Sequence, residues 1–152
     1  MKPRVYVDTS VIGGCFDDEF KDYSNQLFSE FISGKKRIVI SDLVLFELEE
    51  APENVKSVLN DVPYKYTEYV FLNEESIELA RAYLKNGAVT ENSLSDARHI
   101  AIATVEKADI LVSWNFKHIV NLNRIHLINS LNLKLGYPMI EIRSPREVLY
   151  ES

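Results

Sequence analysis

One cysteine, one tryptophan, five glycines and five prolines are all that 152 residues contain of these types. With no second thiol there is no internal disulfide, and Cys15, beside Phe16, reads as a small buried hydrophobe without a catalytic role. Long apolar runs are also missing. The opening MKPRVYVDTS is interrupted by Asp8 too early for a signal-peptide core or a membrane span, so a cytoplasmic protein with no membrane partner is expected. Positive charge is scarce: the net charge is −6, which excludes a grip on nucleic acid through a broad basic face, because phosphate contacts need clustered Lys and Arg. Any nucleic-acid role is therefore local. The small basic groups are GKKR at 34–37 and the set Lys117, His118, Arg124 and His126; they read as a solvated turn and a polar helix face. Gly13-Gly14 is far from the glycine fingerprint of a dinucleotide site.

What is present is a core. Hydrophobic residues make up 46% of the chain, with eight Tyr and seven Phe, enough to fold as a single domain over residues 1–152. Strand and helix patterns alternate. RVYVD is a short buried strand ending at Asp8; YSNQLFSEFISG is a helix stopped by Gly34; RIVIS is a strand followed by the helix DLVLFELEEA. A short helix is expected over Glu53 to Asn60, and YTEYVFL is a strand or an extended connection. NEESIELARAYLKNG is a helix with an Asn cap and acids in its first turn. NSLSDARHIAIATVEKA is a helix, DILVSW a strand, Ile119 to Leu135 a helix, and PMIEIRSPREVL a strand and a turn. Near-continuous apolar strands alternating with helices predict an α/β fold, a mostly parallel sheet covered on both faces.

Ligands of such sheets bind beyond the carboxyl ends of the strands. There the chain carries Asp8-Thr9-Ser10, Ser41-Asp42 and Ser113-Trp114-Asn115, while two helices add the internal acids Glu47 and Asp96. If these converge, Asp8, Glu47, Asp96 and Asn115 form the oxygen-rich pocket that a hard divalent cation requires. Duller readings stand beside each. Asp8 fits a turn or a cap, Asp96 fits a capping box with Ser93, Asn115 fits a cap of the helix after it, and periodicity does not separate Glu47 from Glu49 and Glu50. Asp42 and Asp109 read as structural.

Three segments resemble the PIN-domain ribonucleases, which include the VapC-like toxins of toxin-antitoxin pairs: VYVDTSVIGG, ISDLVLFELEEA and, most specifically, LSDARHIAIATVEKADILVSWNFKHI. The resemblance covers most of the chain. It implies a three-layer α/β sandwich with a central mostly parallel sheet, Asp8, Glu47 and Asp96 as metal-binding acids, and Ser10 and Asn115 at the rim of the catalytic pocket. It further implies a Mg²⁺- or Mn²⁺-dependent endoribonuclease acting on RNA, a small antitoxin partner and a homodimer. Many members carry Asp where Asn115 stands; a branch resembling this chain carries Trp-Asn. A catalytically inactive PIN-like interaction module is the alternative. A phosphotransferase using Asp8 as nucleophile is a weaker rival, since its second Asp is expected where Ser10 stands.

Overall fold

The computed structural model describes residues 2–150, so the two ends of the expected 1–152 domain lie outside the described residues. Five strands form one sheet: β1 (Arg4–Val7), β2 (Arg37–Ser41), β3 (Thr67–Val70), β4 (Ile110–Val112) and β5 (Glu141–Arg143). Their order is β3-β2-β1-β4-β5 and every pairing is parallel. YTEYVFL thus contains a true strand, in register with β2 through Ile40 and Tyr69.

Alternation along each strand feeds two cores. Tyr6, Val39, Leu111 and Ile142 face one side; Val5, Val7, Ile38, Ile40 and Val112 face the other. The first side is covered by α5 (Glu74–Lys85), α6 (Leu94–Val105) and α7 (Leu122–Lys134). The second receives α1 (Thr9–Gly13), α2 (Lys21–Ser33), part of α3 (Asp42–Glu47) and Val148 of α8 (Pro145–Tyr150). This is the expected three-layer α/β sandwich. No helix among the described residues is long and apolar enough to cross a membrane.

Several local expectations are corrected. The helix expected over Glu53 to Asn60 is one α turn, α4 (Glu53–Lys56), that tightens into a 3₁₀ turn over Ser57–Asp61. The helix expected from Ile119 begins at Leu122, because Asn121 caps it and residues 116–119 are held in a turn by Asn115. The closing turn is a helix: Ser144 and Glu147 exchange backbone-to-side-chain bonds across SPRE, a capping box with Pro145 in its first turn. GKKR is not all solvated, since Lys36 is 4% exposed and ion-paired with Glu30.

One amide pairs the backbone of Ile140, the residue just before β5. Asn129 of α7 accepts from the Ile140 N–H (2.8 Å) and donates to the Ile140 carbonyl (3.0 Å), so both backbone groups of this buried residue are satisfied. Asn129→Ala leaves both buried backbone groups unpaired and is expected to cost about 2–4 kcal/mol in urea denaturation. Asn129→Asp, which keeps only the acceptor, should fall between that variant and the wild type.

Candidate active site

The chain runs outward from β1 through β2 to β3 and then returns to β4 on the other side of β1, which makes the crevice at the carboxyl ends of β1 and β4 a topological switch point. Asp8 stands in it. It caps α1, accepting from the Val11 N–H at 3.3 Å, so the capping role and the place in the crevice are one and the same. The carboxylate also accepts from the Ser10 hydroxyl (2.6 Å) and the Ser113 hydroxyl (2.5 Å). Those hydroxyls in turn accept from the backbone N–H groups of Trp114 and Asn115, both at 2.9 Å. Burial pushes the Asp8 carboxyl above its usual range, against the pull of His99, the two hydroxyls and the Val11 N–H.

The Trp114 side chain points away from the pocket. Its indole stacks on Phe20 (4.2 Å between centroids) and donates from Nε1 to Ser24 at 2.8 Å. Gly14 makes room for it, because a Cβ there would lie 2.7 Å from Nε1.

Glu47, the last residue of α3, is separated from its neighbours by its contacts: Glu49 and Glu50 are exposed, whereas Glu47 accepts from Thr9 (2.5 Å), His99 (2.7 Å) and Ser95. Burial alone would raise this carboxyl, but the bonds from His99, Ser95 and Thr9 outweigh it and hold the group at about 2. An ionised carboxylate only accepts, which assigns the hydrogen to Nε2 of His99. In the neutral ring Nδ1 then accepts from the Tyr6 hydroxyl (2.6 Å), which accepts from Ser41 (2.8 Å). Ser41 itself caps α3.

No protein-family model matches the sequence, and no characterised protein matches it significantly in sequence. Solved structures do match in shape. The toxin VapC20 of Mycobacterium tuberculosis, described as cleaving the sarcin-ricin loop, superposes with a TM-score of 0.57 over 74% of this chain and 91% of its own, at 14% identity. A chain of the VapBC2 complex of Rickettsia felis, bound to a DNA fragment from its promoter, gives 0.55 over 93% and 98%, at 20% identity. A chain of the DNA-bound VapBC of Salmonella typhimurium gives 0.55 over 94% and 98%, at 17% identity. The fold is that of the VapC-like PIN domain.

In this PIN fold all five expected residues, Asp8, Ser10, Glu47, Asp96 and Asn115, line one open pocket, together with Thr9, Ser95 and His99. Asp96, in the first turn of α6, is not part of a capping box: Ser93 makes no side-chain cap and bonds Thr90 instead (2.9 Å). Burial raises the Asp96 carboxyl, His118 and His99 pull it down, and so does a hydrogen bond from Asn115. The Oδ1 of Asn115 accepts from the His118 N–H (2.9 Å), a bond that an aspartate could also accept.

The donor set is oxygen-rich and acidic, which suits a hard cation in kind. Among the described residues, however, no three acids, histidines or cysteines are grouped closely enough to hold an ion among them. Glu47 already accepts three hydrogen bonds and Asp8 three. Asp42 and Asp109 are structural, as expected: they accept from the backbone N–H groups of Leu72 (2.8 Å) and Arg4 (2.7 Å). Sequence reasoning missed His99, Thr9, Ser95 and Ser113 as site residues. His99 was within reach, because it lies three residues after Asp96 on the same helix face.

Glu47 generates a pH prediction. Its folded value lies below the ordinary 4.5, so it adds stability above that value and loses it as the pH falls from about 4.5 toward 2. The stability advantage of wild type over Glu47→Gln should therefore shrink on going from pH 6 to pH 3. About 1–2 kcal/mol is expected in urea titrations, after discounting for its partial exposure. An advantage that stays constant with pH would contradict the assignment.

Proposed function

We propose that the chain is a Mg²⁺- or Mn²⁺-dependent endoribonuclease, the toxin of a toxin-antitoxin pair, working in the cytoplasm as a homodimer with a small antitoxin as partner. The observation that carries the reading is the meeting of three acids from three separate elements, with a serine and an amide, in one open pocket at the switch point of a PIN fold. A bound ion supplies an acidified water and neutralises charge on the scissile phosphate.

Each protein group then has a task set by its surroundings. Asp8 and Asp96, both raised by burial, are the carboxylates that gain most from a cation, and two carboxylates plus waters and phosphate oxygens are the usual shell of Mg²⁺. Engaged by Thr9, Ser95 and His99, Glu47 contributes negative charge to the site as the third metal-binding acid. Ser10 and Ser113 hold the Asp8 carboxylate in one orientation. No covalent protein nucleophile is required.

The inactive-module reading draws on Asn115 standing where many PIN ribonucleases carry Asp, but Asp8 and Asp96 both still line the pocket. Cleavage of RNA in Mg²⁺ should fall on the order of a hundredfold or more in Asp8→Asn and in Asp96→Asn, with circular dichroism unchanged. Equal cleavage by either variant and the wild type would remove the assignment. Asn115→Asp exchanges a donor for a fourth negative charge. Its metal-free stability should drop, while stabilisation by saturating Mn²⁺, followed by melting temperature, should grow. No response of either protein to Mn²⁺ would favour the inactive module.

A further inference from the structure

Glu47 is bonded more fully than its burial requires. Its side chain is 26% exposed, so water could supply part of its hydration, yet protein donors take three of the roughly four acceptor sites of the carboxylate. Thr9 (2.5 Å) and His99 (2.7 Å) bond Oε1, and Ser95 bonds Oε2. Thr9 and Ser95 are partly or fully open to solvent, whereas the His99 ring is 3% exposed and reaches Glu47 from the core. Both oxygens are thereby fixed, one of them from inside the protein.

The bonds behind His99 close a loop. Nδ1 accepts from the Tyr6 hydroxyl (2.6 Å), that hydroxyl accepts from Ser41 (2.8 Å), and the Ser41 oxygen accepts from the Val44 N–H (3.1 Å). Ser41 caps the first turn of α3 and Glu47 is the last residue of the same helix, so the path leaves α3 at one end and returns to it at the other through β1 and α6. A helix of six residues does not hold its shape unaided, and by itself gives its last side chain no fixed direction. The loop supplies one. It also selects the form of the ring, because the opposite neutral tautomer would turn a bare lone pair on Nε2 toward the Glu47 carboxylate.

We infer that His99, held in turn by Tyr6 and Ser41, is a positioning residue that orients the Glu47 carboxylate for a bound cation. This rests on the metal-dependent nuclease reading above and adds to it the residues that set its third acid. The test is calorimetric titration of the full chain with Mn²⁺, with the melting temperature of each variant recorded beside it. Two amides separate the ring nitrogens: His99→Gln keeps an N–H donor near the place of Nε2, whereas His99→Asn, one methylene shorter, keeps a partner for Tyr6 and does not reach Glu47. His99→Asn should bind Mn²⁺ about tenfold more weakly, and His99→Gln should stay close to the wild type. Tyr6→Phe should weaken binding in the same direction by a smaller factor. Tyr83→Phe is the control, since it removes an equally buried hydroxyl, bonded to Asn132 (2.6 Å) outside the pocket lining, and should lower stability without lowering affinity. Wild-type affinity in His99→Asn, or an equal loss in His99→Asn and His99→Gln, reduces His99 to core packing and overturns the inference, while Mg²⁺-dependent RNA cleavage by the wild type leaves the nuclease reading intact. A loss in Tyr83→Phe matching that in Tyr6→Phe assigns both to general loosening and likewise overturns it. Wild-type protein that neither binds Mn²⁺ nor cuts RNA ends both.

Discussion

A carboxylate buried at the end of the central strand must be surrounded by donors, and the carboxyl edge of this sheet is organised around that requirement at Asp8. Transfer of an ionised acid out of water is costly unless hydrogen bonds replace its hydration. Here the replacements come from both sides of the switch point: Ser10 and Val11 follow β1, and Ser113 follows β4. Because Ser10 and Ser113 also accept from the backbone beyond β4, the bonds that satisfy Asp8 fix where Trp114 and Asn115 begin. The indole then docks on Phe20 over Gly14, and Phe116 packs edge-on against it. One desolvated acid thereby sets the register between two strands and the shape of the pocket mouth.

A second chain of hydrogen bonds runs inward on the other side of the pocket. Ser41, at the end of β2, reaches Tyr6 in β1, Tyr6 reaches His99 in α6, and His99 reaches Glu47 in α3. Its interior members are buried, so each hydroxyl and ring nitrogen depends on the next for satisfaction. The two acids are consequently set apart by their environments. Asp8, with burial dominant, sits above its usual range, and Glu47, with its donors dominant, sits well below. Carboxylates of similar intrinsic acidity are shifted in opposite directions at the same pocket.

Much of the architecture was legible in linear order. RVYV and RIVIS are too uniformly apolar for a half-exposed strand, and a buried parallel sheet followed from that. Helix ends with strong chemistry, Gly34 after α2 and Asn73 before α5, were readable for the same reason: backbone conformation or side-chain bonding there is set within a few residues. The misreadings lie where two local signals compete. Asn115 and Asn121 both offer a cap, and only packing selects Asn121 for α7. The SPRE box before α8 was a signal present and overlooked.

The sequence by itself determined the alternation of strands and helices, the placing of acids just beyond strand ends, and the want of basic surface, because each of these is a property of composition or of short-range periodicity. It left Glu47 level with Glu49 and Glu50, and Asp96 level with a helix cap. The second tie was broken nearby, by Ser93 bonding Thr90 instead of capping α6; the first was broken by residues 38 to 52 positions away in the chain, the Thr9 hydroxyl, the Ser95 hydroxyl and the His99 ring, all converging on Glu47 alone. Only tertiary structure could decide this, since burial and the choice of hydrogen-bond partner depend on which distant segments are brought together, and no local pattern encodes that distance.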